Sequence, residues 1–411
     1  MNTVFGILIG LLVLMVLIVA HEFGHFLVAK KNGVRVKEFG VGFPPRATAW
    51  LHVPPKTSDG KWTWKKLEKK DWEKPQDSLV FSLNFIPVGG FCAMDGESDD
   101  DERKGTFGAA SYWKKTKILF AGVAMNWLVA FLILTVLCWT GLPPILENQY
   151  TVSRDATVTS LSPVTVTSVL DGSPAEAAGF RIDDIILYVS EHIEDDDVVV
   201  INTYNDVIAF NNSHAGESVV YHIFRNNKTE IITVSLNSVD AEYILGVTMS
   251  PGSAVTTYTY SAPLVAAGLT VQLTGETFKG LWNLVVNLIT GAARQVNLDA
   301  TVREEGRAQI SEATAGVSGI VGIIGGYFPG LVSAGPTYIF LFMAIISISL
   351  ACMNVLPIPA LDGGRWFMIT VARLRGKKLS KEKEQKIVTR AFIFLLILMA
   401  VITVVDIIRL F

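Results

Sequence analysis

The chain has 411 residues, a net charge of −3 and a positive mean hydropathy of +0.41. Half of its residues are apolar and only 18% are charged, so the composition excludes a wholly water-soluble protein. The slightly acidic balance gives no reason to expect a nucleic-acid partner, and the length allows two or three domains.

Four apolar stretches are long enough to cross a bilayer as helices, which requires about 18 or more mostly apolar residues. They lie near residues 4–29, 118–142, 338–356 and 391–411. Positive charge is concentrated between them: 17 of the 35 Lys and Arg lie at 30–117, and eight more lie at 373–390. Because cytoplasmic loops collect positive charge, we expect both basic loops in the cytoplasm and residues 143–337 outside it.

The first apolar stretch ends with three ionisable residues, His21, Glu22 and His25. Such groups inside a bilayer are costly and by default functional. Residues four apart share a helix face, so both histidines can bind one ion, and Glu22, about 100 degrees around the helix, can reach a water on it. HExxH therefore predicts a hydrolytic zinc site. The alternative is that these residues mark the exit of the helix from the bilayer beside Lys30 and Lys31.

The basic loop that follows contains two informative segments. KWTWKKLEKKDWEKP (61–75) suits a lipid headgroup surface or, alternatively, a solvated hairpin. LVFSLNFIPVGGFCAM (79–94) alternates apolar and small residues and predicts a pair of strands. We therefore expect membrane-associated β-structure within residues 31–116.

Residues 158–250 are predicted to form a small α+β domain. Strands are expected at 163–170 and 184–189, a turn with a short helix at 171–180, a helix at 203–212, and a hairpin at 216–236 that turns at Asn226 and Asn227. The following region, 260–336, is amphipathic, since Gln272, Glu276 and Lys279 interrupt its apolar residues.

The third apolar stretch ends in ACMNVLPIPALDGGRW (351–366), where Pro357 and Pro359 must break the helix. Broken backbone at membrane depth survives only where it lines a cavity. A catalytic zinc usually has three protein ligands and one open position, and Asp362 is delivered here at the same membrane side as His25. The sequence thus predicts Asp362 as the third ligand; the alternative is a helix cap or loop acid.

These motifs resemble those of the site-2 protease family, specifically the bacterial RseP-type regulated intramembrane zinc metalloproteases. The resemblance covers nearly the whole chain. It rests on HEFGH (21–25), FGVGFPPR (39–46), PVGGF (87–91), AGVAMN (121–126), a PDZ-like insert and NVLPIPALDGG (354–364). HExxH alone is moderately specific, whereas its combination with NxxPxPxLDGG across four spans is very specific.

The resemblance implies a zinc ion held by His21, His25 and Asp362, with Glu22 as the general base. It also implies four substrate-binding residues: Asn354, Asn126, Gly89 and Gly90. Three positions depart from the family pattern: Val123 and Ile320 stand where proline is usual, and Asp183–Asp184 replaces a Gly-Asp turn. These departures concern substrate handling rather than the implied ligands.

The predicted architecture is a polytopic α-helical membrane protein with membrane-associated β-structure and one inserted α+β PDZ-like domain. Its segments are 1–30 (first span), 31–116 (cytoplasmic loop), 117–142 (second span), 158–250 (PDZ-like domain), 260–336 (amphipathic region), 337–366 (third span), 367–390 (basic loop) and 391–411 (fourth span).

The family resemblance implies a bacterial cytoplasmic (inner) membrane enzyme with the PDZ-like domain outside. Its expected partners are membrane lipid and single-span substrates such as anti-sigma factors or signal-peptide remnants. The turn DGSPAEAAGF (171–180) resembles a PDZ turn that receives a C-terminal carboxylate; alternatively, the domain covers the active site without binding peptide.

Two other functions are compatible with a metal site in a span. A zinc transporter would need further ligands along its route, and the second and third spans offer Asn126 and Asn354 for that role. A proteolytically inactive scaffold would be expected to carry a damaged HExxH or LDGG, and both are intact. The sequence therefore favours a protease.

Overall fold

The computed structural model describes residues 2–53, 62–72, 78–146, 148–193, 198–250, 252–296, 299–315, 319, 321–376 and 379–410. Ile320, Lys61 and residues 73–75, which entered the sequence predictions, lie outside these ranges. The chain forms two compact units: unit 1 comprises Met1–Thr135 and Ala266–Phe411, and unit 2 comprises Val136–Val265.

The α-helices of the described residues are α1 (Asn2–Lys31), α2 (Tyr112–Thr140), α3 (Pro174–Ala178), α4 (Tyr204–Ser213), α5 (Ala262–Gln295), α6 (Ala300–Ala315), α7 (Phe328–Ala334), α8 (Pro336–Val355), α9 (Asp362–Leu374) and α10 (Lys381–Leu410). The strands are β1 (Val36–Val53), β2 (Thr63–Lys66), β3 (Leu79–Met94), β4 (Thr157–Ser162), β5 (Val164–Val169), β6 (Ile185–Ser190), β7 (Val199–Val200), β8 (Ser218–Arg225), β9 (Lys228–Ser235), β10 (Val247–Met249) and β11 (Ser253–Thr257).

Four of the described helices are long and apolar enough to cross a membrane. They cover Thr3–Lys31, Tyr112–Thr140, Pro336–Val355 and Lys381–Val404. Each overlaps one of the four stretches expected from the sequence, so the prediction of four candidate spans is confirmed at the level of length and composition.

The third candidate span ends where the two prolines require it. Helix α8 ends at Val355, and α9 begins at Asp362 after a non-helical segment that contains Pro357 and Pro359. Helix α9 then continues to Leu374 and α10 begins at Lys381, so the basic loop expected at 367–390 is much shorter. A helix satisfies its backbone hydrogen bonds internally, whether its surface is charged or apolar. A run of polar residues therefore does not show where α9 ends or where α10 begins.

The sheet of unit 1 is built from two bent strands. Both halves of β3 pair with β1, so that Phe39 lies opposite Cys92 on one side and Phe81 on the other. Strand β2 pairs with the second half of β1. Among the described residues, 90–94 pair only with β1 and thus form an edge of this sheet. The segment 79–94, expected to form two strands, is one continuous strand whose two halves both pair with β1.

This sheet packs directly on the end of α1. The rings of Phe26, Phe39 and Phe81 lie with centroids 5.4–5.8 Å apart. At Gly90 a Cβ atom would lie 2.9 Å from the Gly40 carbonyl oxygen and 3.2 Å from Val19 Cγ2. The absence of a side chain at Gly90 therefore lets the edge strand approach α1 closely.

A second helix contact forms near the start of α1. A Cβ atom at Gly10 would lie 2.8 Å from the Phe328 ring, and one at Gly6 would lie 2.8 Å from the Pro329 backbone. The π-helical segment Gly322–Tyr327 and α7 thus pack against α1 through Ile324 and Phe328, which are both buried. The last part of the amphipathic region contributes in this way to the core of unit 1.

Unit 2 contains a sheet with strand order β10-β5-β6-β8-β9, in which β7 also pairs with β6, and a separate ribbon of β4 and β11. Its buried core includes Val166, Ile186, Tyr221 and Ile223. The elements expected at 158–250 are present, including the hairpin turn, whose Asn226 and Asn227 have φ of 49° and 64°. These elements form an α+β unit.

Candidate active site

The two histidines of HExxH meet on one face of α1. His21 and His25 are both buried, and their Nε2 atoms lie 3.1 Å apart. The helix places them one turn apart, and the rings meet edge to face with centroids separated by 4.8 Å. Two imidazole nitrogens therefore point at one position in the interior of unit 1.

Asp362, the first residue of α9, completes this cluster. Its Oδ2 atom lies 3.0 Å from His21 Nε2 and 3.3 Å from His25 Nε2. The one candidate ligand atom of each residue lies within 4.8 Å of the other two. The helix break brings a carboxylate to the imidazoles across 341 residues of sequence.

These distances fit a tetrahedral metal ion. Ligands about 2.0–2.1 Å from a zinc are separated from each other by about 3.3–3.4 Å along the tetrahedron edges. The three observed separations of 3.0, 3.1 and 3.3 Å approach that value. Two nitrogens and one oxygen also match the donors that catalytic zinc accepts, with one position left for water.

Gly122 on α2 provides an independent indication of a binding position. A Cβ atom there would lie 2.5 Å from His21 Nε2 and 2.6 Å from His25 Nε2. Only the absence of a side chain at 122 keeps the space beside both nitrogens open. Residues His21, His25 and Asp362 could thus hold an ion that α2 leaves room for.

The outer nitrogens of both rings have partners that leave Nε2 free to ligate. His25 Nδ1 donates to the Ile118 carbonyl oxygen at 2.8 Å. The Asn126 side-chain amide lies 3.3 Å from His21 Nδ1, while its buried Oδ1 atom has no hydrogen-bond partner among the described residues. Exchanging the amide oxygen and nitrogen, which resemble each other in shape, lets His21 Nδ1 donate to Oδ1 and leaves His21 Nε2 free to ligate.

Glu22 lies beside the cluster rather than within it. It lines the same cavity, of about 310 Å³. Asn354, at the end of α8, and Arg365, one turn after Asp362 on α9, also line this cavity. A carboxylate beside the ligand cluster can accept a proton from a reacting water.

The other predicted substrate-binding residues occupy different positions. Gly89 and Gly90 do not appear among the described residues that line the cavity, but Cys92 and Met94 of the same edge strand do. Asn126 lines the cavity and contacts His21. The structure therefore brings Asn126 and Asn354 to the cluster and places the two glycines farther along the edge.

The remaining histidines do not join this cluster. His52 lies on β1, and the other three belong to unit 2: His192, His214 and His222. In unit 2, four N–H groups of the turn expected to receive a carboxylate already have partners. Gly172 N donates to Glu176, Ser173 N to Leu170, Ala175 N to Leu245, and Glu176 N to Ser173.

Sequence reasoning did not identify Gly122, Ile118 or Arg365 as parts of the site. Within AGVAMN (121–126), a glycine inside an apolar helix is the sequence signal for close packing at Gly122. The role of the Ile118 carbonyl has no sequence signal, because every residue carries one.

Comparison with known proteins agrees with this geometry. A profile of Peptidase family M50 matches residues 9–52 and 66–399. The Regulator of sigma-W protease RasP of Bacillus subtilis is 25% identical over 454 residues, covering 96% of both chains. The zinc metalloprotease RasP of Oceanobacillus iheyensis is 24% identical over 480 residues, covering 96% of this chain and 97% of the relative.

A further relative, from Clostridium acetobutylicum and assigned by its name to the zinc metalloproteases, is 26% identical over 407 residues and covers 98% of both chains. The M50 profile includes the HExxH helix and the segment that carries Asp362. Because this match spans most of the sequence, the chain belongs to peptidase family M50, the site-2 protease family.

Proposed function

We propose that this zinc metalloprotease hydrolyses peptide bonds inside the membrane-spanning segments of single-span proteins. The observation that carries the proposal is the cluster of His21, His25 and Asp362: the two histidines are buried on the first candidate span, and Asp362 begins the helix that follows the third. At 1.5 Å per residue, His21 lies roughly 27 Å along α1 from Thr3, within a hydrocarbon core of about 30 Å. The chemistry would therefore take place below the lipid surface.

In this proposal His21, His25 and Asp362 hold the zinc. The bonds from His25 Nδ1 to Ile118 and from His21 Nδ1 to Asn126 fix the ring orientations. When bound, the zinc supplies a Lewis acid that lowers the pKa of a neighbouring water and polarises a carbonyl group.

Glu22 acts as the general base. Its carboxylate faces the cavity and takes the proton of the attacking water, then delivers that proton to the leaving nitrogen. Asn354, which also lines the cavity, would position the substrate backbone through its amide.

A peptide in a membrane helix has its carbonyl groups bonded within the helix, so cleavage requires local unwinding. The open edge at 90–94 supports a way to hold the unwound strand, since an extended peptide can add to an exposed edge. Gly89 and Gly90 leave this edge without bulky side chains. We therefore assign them to substrate binding along the strand rather than at the metal.

The candidate substrates are anti-sigma factors and signal-peptide remnants. The relative from Bacillus subtilis, named a regulator of sigma-W protease, supports the former class. The basic residues at 30–117 and 373–390 favour a cytoplasmic side for the active site, with unit 2 outside the bacterial inner membrane. Since the N–H groups of Gly172, Ser173, Ala175 and Glu176 are occupied, we favour exclusion of large ectodomains by unit 2 over capture of a C-terminal peptide at that turn.

Transport is less well supported. Within the described residues, the one group that could hold a metal is His21, His25 and Asp362, whereas a transport route would require further ligands.

The test compares Glu22→Gln with wild type and with Glu382→Gln, an exposed residue of α10. Purified proteins in lipid vesicles are given a model single-span substrate, and zinc content is measured by mass spectrometry. We expect Glu22→Gln to retain zinc and lose cleavage by at least about a hundredfold, since general bases contribute roughly 10²–10⁴. Glu382→Gln should behave as wild type. Retained turnover by Glu22→Gln would refute its role.

A second arm separates intramembrane cleavage from ordinary proteolysis. The same target segment is offered within a membrane helix and as a water-soluble peptide fused to a carrier protein. Cleavage confined to the soluble form would exclude the proposed function even if Glu22 proved essential.

A further inference from the structure

A second cavity, of about 380 Å³, lies at the end of α1 and shares no described lining residue with the active site. Its lining includes Lys30, Gly33, Arg35, Lys37, His52 and Trp62. Three permanent cations, one imidazole and one indole surround this space. Such a combination is suited to an anion with an adjoining apolar group.

Two of these cations have no carboxylate partner within the described residues. Lys30 Nζ lies 5.3 Å over the Phe26 ring, and Arg35 is exposed. Lys37 pairs with Asp95 at 3.0 Å, and Arg103 contacts the same carboxylate at 3.3 Å. Lys37, with help from Arg103 and Arg35, holds the pKa of Asp95 below its ordinary value. Positive charge therefore remains in excess around the cavity.

The aromatic wall of the cavity is held by stacking. The His52 and Trp62 rings are stacked with centroids 4.5 Å apart, and Trp64 lies 4.6 Å from His52. His52 and Trp64 are cross-strand partners on β1 and β2. Yet Trp62 and Trp64 are 57% and 58% exposed, which is unusual for indoles unless they face an interface.

The length of α1 places this cavity at headgroup depth. Lys30 follows Thr3 by 27 residues, or roughly 40 Å of helix. The hydrocarbon core accounts for about 30 Å and the headgroups extend the bilayer to about 40–45 Å. Cations and indoles are enriched at this level of membrane proteins.

We propose that this cavity binds the phosphate of an anionic phospholipid, with Lys30 and Arg35 facing the phosphate and Trp62 lying along the glycerol and upper acyl chain. The bound lipid attaches the β1–β3 sheet to the bilayer surface. The same sheet carries the edge strand that borders the active site, so the lipid stabilises that strand at membrane depth.

The test is native mass spectrometry of the full-length protein, purified in detergent and titrated with dioleoylphosphatidylglycerol or dioleoylphosphatidylcholine. Each cation near an anionic surface contributes about fivefold in affinity, so Lys30→Gln/Arg35→Gln should weaken phosphatidylglycerol binding by roughly 30-fold. Phosphatidylcholine binding should change little. An unchanged preference for phosphatidylglycerol in the double variant would overturn the proposal.

The matched control is Lys69→Gln/Lys70→Gln, which removes two exposed cations from the same loop outside the cavity. It should retain the preference, and an equal loss would indicate general surface charge instead of a site. The charge-preserving Lys30→Arg/Arg35→Lys variant should restore most binding. Trp62→Ala, at an exposed position, should weaken phosphatidylglycerol binding without altering charge and so tests the cavity if the double variant misfolds; wild-type binding would contradict the proposal.

A last arm distinguishes the source of the phosphate. Ten-fold excess inorganic phosphate or glycerol 3-phosphate should not displace the lipid, because neither occupies the surface beside Trp62. Displacement by either would overturn the assignment in favour of a soluble phosphate ligand.

Discussion

At the scale of single residues, Gly122 determines whether the space beside the two histidines stays open. Gly122 faces both Nε2 atoms, and any Cβ atom there would lie 2.5–2.6 Å from them. A metal ion and a methyl group would compete for one space. Glycine lowers helix stability relative to alanine, so helix propensity alone disfavours it at position 122. The space needed beside the two histidines explains why glycine stands there.

We expect Gly122→Ala to weaken zinc binding by about tenfold or more, because inserting an extra carbon into a packed site costs roughly 1–3 kcal/mol. Competition with a fluorescent zinc chelator measures the change. Gly280→Ala is the matched control: it is also a helical glycine, but nothing lies within 4 Å of its added Cβ. Unaltered zinc affinity in Gly122→Ala would show that the ion does not sit beside α2.

At the scale of elements, hydrogen bonds fix the segment that leads into α5. Asp155 accepts from the backbone N–H groups of Thr259 and Ser261 and from both hydroxyl groups. Desolvation raises the pKa of Asp155, but these hydrogen bonds outweigh it and lower the pKa from 3.8 to about 2. The carboxylate therefore acts as a cap for the chain entering this helix.

A depressed folded pKa contributes stability above the unfolded value near 3.8, and this contribution is lost as the pH falls through about 2. We therefore expect Asp155→Asn to lower the unfolding temperature of the detergent-solubilised protein at pH 6, with the difference from wild type shrinking between pH 4 and pH 2. Asp171→Asn, at an exposed position of the same unit, should show no such trend. A difference that is constant with pH would contradict the assignment.

Local periodicity made several elements predictable. HExxH specified its geometry because four residues make about one helical turn, and Pro357 and Pro359 fixed the end of α8 because proline cannot continue a helix. Asn226 and Asn227 specified a hairpin turn for a similarly local reason. The ends of α9 and α10 were not predicted, since their polar turns lack such a signal.

The rest of the site depends on how helices pack against one another. Which face of α2 meets α1 decides that Gly122 and the Ile118 carbonyl reach the histidines, and no spacing within either segment encodes that choice. The sequence predicts a carboxylate ligand at Asp362. The 3.0 Å distance between Asp362 Oδ2 and His21 Nε2 depends on tertiary packing.

At the scale of the whole molecule, the proposed ligands all belong to unit 1. Removing the zinc with 1,10-phenanthroline should abolish cleavage and loosen α1 against α9. A ligand present at 100 times its Kd stabilises a fold by about 2.7 kcal/mol. We therefore expect zinc removal to lower the free energy of unfolding of unit 1 by a similar amount. Hydrogen exchange should rise around 18–25 and 355–365 while the β5–β9 sheet of unit 2 remains unchanged.

His21→Ala/His25→Ala supplies the control, because it should exchange at the faster rate with or without chelator. If the chelator altered wild type and this variant alike, its effect would not arise from the cluster. Addition of zinc should restore slow exchange in wild type alone.

The 341-residue separation between His21 and Asp362 also has a consequence for synthesis. Ribosomes add about 5–20 residues per second, so roughly 17–70 s pass between translation of the two residues. During that interval the first helix can enter the bilayer while its partner carboxylate does not yet exist. With the proposed ligand set, a nascent copy therefore lacks its third zinc ligand until Asp362 has been synthesised.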